Sequence, residues 1–237
     1  MSVIRVGVLG AGANTKSKHI PLLQAIDGVE VHAVCNRTLE SSQKVCSEFG
    51  IPKAFKNPLE ILEDSSINAV LIGTWPYKHA EFTIKALNNA KHVLTEARMA
   101  MNADEAESML AVSLQHPGLV AQVVPAPFTL QMDETIRQVV ANELGKLIGI
   151  ELFVQSGKYP DPAEPQTWRQ RRLYSGNNIM SIGIHYEAMM RWVGEARNVF
   201  AQFSTQVTES ISPLSQHPEP NDIPDRVLAV GKLHRDD

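Results

Sequence analysis

Val3-Ile4-Arg5-Val6-Gly7-Val8-Leu9-Gly10-Ala11-Gly12-Ala13-Asn14-Thr15 is the stretch whose reading decides the fold. Residues 3–9 form a short run rich in β-branched apolar side chains, the composition of a parallel strand buried on both faces. The run passes straight into a glycine-rich loop, and then into a segment of helical period over 16–26 with Leu22, Leu23 and Ile26 on one face. A turn at Asp27-Gly28 leads to a second apolar strand over 29–35, which ends on Asn36-Arg37-Thr38. That order suits a dinucleotide. Gly10 and Gly12 let the main chain approach a pyrophosphate, and Ala13, Asn14 and Thr15 open a helix whose first N–H groups lack partners and whose dipole favours negative charge.

Two departures from the dinucleotide pattern matter. The third glycine is replaced by Thr15, or displaced by one extra residue in the loop. The acidic residue expected at the end of the second strand, where it would grip the ribose hydroxyls of NAD, is absent. A guanidinium at Arg37 beside Asn36 suits a 2′-phosphate instead, so the reading leans to NADP with NAD possible. The plainer alternative makes Arg37 a solvated residue at a strand end.

Composition narrows the function classes. A formal net charge of −4 over 237 residues gives no basic footprint for nucleic acid or an anionic membrane surface. No apolar run approaches the ~20 residues of a membrane span. The chain enters a strand almost at once, which leaves no room for a signal peptide. Cys35 and Cys46 are the two cysteines and have no repeated spacing. They read as buried thiols of a cytoplasmic protein. No histidine spacing suggests a metal site.

Helical and strand patterns keep alternating: helices over 39–49, 58–63, 80–89 and 102–115, strands over 69–73, 91–94 and 119–124, and a short link to Ala54-Phe55. The texture changes after Pro125. A helix over 130–142, a strand over 147–154, loops over 159–165 and 168–178 and a helix over 184–193 follow, with strands over 199–207 and 226–233. The expected fold is α/β, a doubly wound parallel Rossmann sheet over 1–125, then an α+β domain with a mostly antiparallel sheet over 126–237. The chain stops just after an apparent strand, so the second domain is expected to be truncated, and its unpaired sheet favours a homo-oligomer.

In its order of segments the chain resembles the Gfo/Idh/MocA oxidoreductases. The likeness rests on Gly10-x-Gly12 with His19 downstream, Thr74-x-Pro76-x-x-His79, Glu96 after the strand pattern over 91–94, and Gly183-x-His185 opening a late helix. It implies hydride transfer between a nicotinamide cofactor and a sugar-like or polyol substrate. It also implies that the loop carrying Thr74, Trp75, Pro76 and His79 lies along the cofactor, with Glu96 and Ala97 beside the nicotinamide. The family's lysine in a Glu-Lys-Pro tripeptide, and an aspartate and histidine from the second domain, would handle the accompanying proton.

This sequence departs where that chemistry is expected. The tripeptide reads Glu96-Ala97-Arg98, and the aspartate position is Ser181. His185 is the remaining proton carrier, since imidazole titrates near neutrality. A guanidinium with pKa above ~12 is no base, but Arg98 can hold an anionic substrate or polarise a carbonyl. Trp168-Arg169-Gln170-Arg171-Arg172 offers a second substrate grip, with Trp168 and Arg169 as its candidates, or is a solvated loop. The leading expectation is an NADP-leaning dehydrogenase or reductase of a secondary alcohol or ketone. A dinucleotide-binding sensor or assembly subunit is the first alternative, and a redox-neutral NAD-dependent glycosidase the second.

Overall fold

The computed structural model describes residues 3–125, 132–155, 161–179 and 182–234. The chain forms two compact units, 1–124 and 125–237.

The first unit is a six-stranded parallel sheet. Its strands are β1 (Ile4–Leu9), β2 (Val29–Cys35), β3 (Lys53–Phe55), β4 (Ala69–Ile72), β5 (His92–Thr95) and β6 (Ala121–Val123), in the order β3-β2-β1-β4-β5-β6. This is the doubly wound order in which the direction of winding reverses between β1 and β4. Val8 lies between Val34 of β2 and Leu71 of β4, and Leu9 between Cys35 and Ile72. Successive strand residues point to opposite faces, so two cores result. On one face Leu9 and Ile72 pack with Ile61, Leu62, Phe82 and Leu87 from helices Pro58–Glu63 and His79–Asn88. On the other Val8, Val34 and Leu71 pack with Ile20, Val45 and Cys46. Each fully buried Leu or Ile is worth about 1.5–3 kcal/mol relative to exposure.

Local chemistry fixes the helix ends. Thr38 accepts a hydrogen bond from the Ser41 N–H to start Leu39–Phe49, and Gly50 at φ +67° stops it. Asn57 and Glu60 form a capping box with Pro58 in the first turn of the next helix. Lys53–Phe55 proves to be an edge strand rather than a link. The expected face of Leu22 and Ile26 is corrected: both are exposed, and Ile20 is fully buried. A π-helical turn over Thr15–His19 precedes the α-helix Ile20–Gln24. The wider turn advances the phase of everything after it.

The second unit holds helices Asp133–Asn142 and Ile182–Val193, held together by Asp133, which accepts from Trp192 Nε1 at 2.7 Å and pairs with Arg191 at 2.6 Å. Two small antiparallel sheets complete it. β7 (Ala196–Ser204) pairs with β10 (Arg226–Leu233), and β8 (Glu209–Ile211) with β9 (Pro218–Pro220). The expected strand over 147–154 is absent. Its residues are mostly apolar, yet no strand among the described residues pairs with it, and Ile148 and Phe153 are almost fully exposed. An apolar run becomes a strand only where a partner supplies the ladder hydrogen bonds. The residue at 181, and the expected starts of the helix at 130 and of the loop at 159, lie outside the described residues.

Candidate functional site at the carboxyl ends of the parallel strands

Four loops meet at the carboxyl ends of β2, β1, β4 and β5. The loop after β1 turns at Gly10, whose φ of +87° suits glycine, and a Cβ there would come within 2.8 Å of the Thr74 main-chain nitrogen. A Cβ on Gly12, in contrast, would meet nothing within 4 Å. Helical backbone begins at Ala13, and the Lys16 N–H already reaches the Gly12 carbonyl at 2.9 Å, so Ala13, Asn14 and Thr15 carry the N–H groups that lack partners within the helix. Thr15 is buried and donates its hydroxyl to the Gly10 carbonyl at 3.2 Å. A Cβ on Gly73 would overlap the Thr15 Oγ1. The close helix–strand contact that a third glycine would provide is therefore made by Gly73 on the facing loop.

Asn36 is engaged by the protein itself. Its Oδ1 accepts the Ala11 N–H at 2.7 Å and its Nδ2 donates to Ser41 Oγ at 3.0 Å. It shapes the glycine loop rather than presenting a free amide. Arg37 reaches from the end of β2 to the Trp75 ring, 5.6 Å from its centroid. Trp75 precedes a 3-10 turn over Pro76–Lys78, opened by the buried Pro76, and the Tyr77 ring lies 6.4 Å from the indole.

His79 is corrected from a residue along the cofactor to an internal strut. It is buried, with Nε2 2.9 Å from the Thr74 carbonyl and Nδ1 3.1 Å from the Arg98 carbonyl. Burial pulls the imidazole below its usual pKa, against the carbonyls of Thr74 and Arg98 and the charge of Glu96. A neutral ring donates to one of these carbonyls at a time, and it ties the loop after β4 to the loop after β5. Arg98 sits in the latter with φ +64°. Proline is fixed near −65°, so the main chain here departs from a Glu-Lys-Pro loop as well as the side chains.

Glu96 faces the glycine loop. It accepts from Asn14 Nδ2 and His19 Nε2, the latter at 2.6 Å, and from the Ala97 N–H. Burial raises its carboxyl pKa, but the hydrogen bonds from His19 and Asn14, the His19 charge and the Ala97 N–H outweigh it and leave the pKa below the ordinary value. Sequence reasoning noted His19 without giving it a role. No local signal marks the pairing, because His19 ends the π turn Thr15–His19 and its partner Glu96 lies on the loop after β5.

Gly10, Gly12, Ala13, Asn14, Thr15, Asn36, Arg37, Thr74, Trp75, Pro76, Glu96, Ala97 and Arg98 thus all belong to these loops of the first unit. Trp168, Arg169 and His185 belong to the second. There the Arg169 guanidinium lies 4.4 Å from the Trp168 ring centroid, and His185 is half-buried on the helix Ile182–Val193. The neighbouring arginines have internal roles. Arg171 pairs with Glu219, and Arg172 donates to Asn177 Oδ1 at 3.1 Å. Among the described residues no cluster of three potential metal ligands occurs, and no helix is long and apolar enough to cross a membrane.

The open space above Gly12, the helix start at Ala13 and the buried Thr74 Oγ1, which has no hydrogen-bond partner among the described residues, together fit a dinucleotide. Comparison with known proteins agrees. Residues 4–123 match the Gfo/Idh/MocA profile described as an oxidoreductase family with an NAD-binding Rossmann fold. Residues 134–234 match the C-terminal domain profile of the same name. An uncharacterised oxidoreductase of Rhizobium meliloti is 26% identical over 204 residues, 85% of this chain and 60% of its own length. Myo-inositol 2-dehydrogenase of Thermotoga maritima is 25% identical over 210 residues, 88% of this chain and 60% of its own. A levoglucosan dehydrogenase, solved with NADH and L-sorbose, shares the fold with a TM-score of 0.79 at 21% identity, over 98% of this chain and 64% of that one. The chain spans about 60% of the length of these two curated relatives.

Proposed function

Because the chain belongs to the Gfo/Idh/MocA oxidoreductase family, we propose that it is an NADP-preferring dehydrogenase or reductase of a secondary alcohol or ketone on a sugar-like or polyol substrate. The observation that carries this reading is the glycine loop: Gly12 faces open space immediately before the helix start at Ala13, with Arg37 at the adjoining strand end. In this reading Gly10, Gly12, Ala13, Asn14 and Thr15 hold the pyrophosphate. Thr74, Trp75 and Pro76 line the dinucleotide, and Arg37 meets the 2′-phosphate. When bound, a nicotinamide cofactor accepts or donates the hydride. Glu96, kept ionised by His19 and Asn14, orients a ribose hydroxyl. Arg98 polarises the substrate oxygen as a fixed cation. His185 takes or returns the proton of the substrate hydroxyl, and Trp168 with Arg169 presents an aromatic face and a cation to the substrate.

The test is turnover with a panel of inositols and anhydro sugars, followed through nicotinamide absorbance. The expected result is measurable turnover with NADP, lowered about 10²–10⁴-fold in His185→Ala with cofactor affinity retained. Ala97, at the position of the family's lysine, favours one other reading, a dinucleotide-binding sensor or assembly subunit. Tight dinucleotide binding with no turnover across the panel would establish that reading in place of the first.

A further inference from the structure

We infer that Trp75 is a positioning residue for dinucleotide selection: it holds the Arg37 guanidinium over the mouth of the glycine loop, in register for a ribose phosphomonoester. The inference rests on the NADP preference proposed above and names the residue that makes it effective.

Arg37 follows β2 and Trp75 follows β4, and these strands flank β1 on either side. Neighbouring strands are ~4.8 Å apart, so the two loops start roughly 10 Å apart with the end of β1 between them. A contact between Arg37 and Trp75 therefore requires the arginine side chain to cross above the point where Gly10 and Gly12 turn. The distance of 5.6 Å from guanidinium carbon to ring centroid is within cation–π range.

Chemistry adds direction. Among the described residues Arg37 makes no hydrogen bond or ion pair with another side chain, and it is exposed. An arginine so placed samples many rotamers and loses that freedom when it grips an anion. The indole restrains it beforehand. The indole ring offers the guanidinium no conventional hydrogen-bond acceptor, so this contact leaves the N–H donors available, and these are the groups that match a phosphate. The other polar groups at this strand end have partners: Asn36 is bound to Ala11 and Ser41, and Thr38 caps the helix Leu39–Phe49. Residues 36–38 carry no carboxylate that would favour free ribose hydroxyls. Trp75 is itself constrained, since it is half-buried, its carbonyl accepts the Lys78 N–H at 3.1 Å, and Tyr77 lies beside it.

The experiment is a fluorescence titration with NADPH and with NADH, on the full chain and on Arg37→Ala, Trp75→Ala, Trp75→Leu and Trp75→Phe. The readout is the ratio of the two dissociation constants, which a general loss of loop structure would leave unchanged. In Arg37→Ala the NADPH preference should fall about tenfold or more. In Trp75→Ala and in Trp75→Leu, which keeps apolar bulk without a π face, it should fall about two- to fivefold. Trp75→Phe should recover most of the preference. If Arg37→Ala loses the preference while Trp75→Ala and Trp75→Leu retain it, or lose affinity for both cofactors equally, this inference is overturned and the NADP reading stands. If Arg37→Ala leaves the ratio unchanged, both fall together. Trp75→Leu and Trp75→Phe decide the matter if Trp75→Ala does not fold.

Discussion

Single side chains at opposite ends of the first sheet have separable duties. At the amino end Asp64 accepts from Lys53 at 2.8 Å and from the Ser66 hydroxyl and N–H. Hydrogen bonds from Lys53 and Ser66 hold its carboxyl well below the usual carboxylate range, against the opposing effect of burial. A depressed folded pKa means that the stabilisation is fully present above the unfolded value of ~3.9 and is lost as pH falls through the folded value. Asp64→Asn should therefore cost about 1–3 kcal/mol at pH 7 by urea unfolding. The gap to wild type should close as the medium is acidified below about pH 4. A gap independent of pH would show that the ionised carboxylate is not what stabilises this corner. At the carboxyl ends, Glu96 and Arg37 are the residues proposed to meet the cofactor, with His19 as the partner of Glu96. Their types were legible in the sequence, but their pairings were not: His19 with Glu96 and Arg37 with Trp75 join positions 77 and 38 residues apart.

Helix and strand packing around the glycine loop shows how an element can depart from a motif and keep its geometry. Thr15 takes up the space that a third glycine would leave open, and Gly73 on the loop after β4 yields that space back. Gly73→Ala should destabilise the protein by about 1–3 kcal/mol, because the new methyl overlaps both Thr15 Oγ1 and the Gly10 carbonyl. Gly73→Ala in a Thr15→Gly background should recover only part of this loss. A neutral Gly73→Ala would mean that the contact is slack. The parallel strands and their helices could be read from the sequence because buried runs, caps and breakers act locally. Two readings failed for physical reasons. The π turn reset the face of the first helix, and the apolar run over 147–154 found no partner strand among the described residues. Neither a widened turn nor a missing neighbour is a property of the segment that shows it.

For the whole molecule, the first unit accounts for cofactor chemistry and the second raises the question of association. The β7–β10 ribbon presents apolar pairs on both faces, Phe200 opposite Val230 and Phe203 opposite Val227, and Phe200, Phe203 and Val230 are each more than half exposed. Two strands alone are marginal in water, and an exposed apolar patch of this kind favours association. We propose a homo-oligomer formed through this ribbon. Sedimentation equilibrium should give a multiple of 26.2 kDa, and Phe200→Glu with Val230→Glu should yield the monomer. A monomeric wild type would contradict the proposal.

The central claim is that the glycine loop binds a nicotinamide dinucleotide, and Gly12 offers the most direct test. Its φ lies outside the left-handed region and a Cβ there meets nothing, so Gly12→Val should fold like wild type. Its side chain would occupy the space assigned to the pyrophosphate. Titration of both proteins with NADPH, beside their thermal unfolding curves, is the measurement. The expected result is saturable binding by wild type, weakened about tenfold or more in Gly12→Val, with the melting temperature unchanged. A folded wild type that does not bind NADPH or NADH, or a Gly12→Val variant that binds NADPH as tightly as wild type, would contradict it.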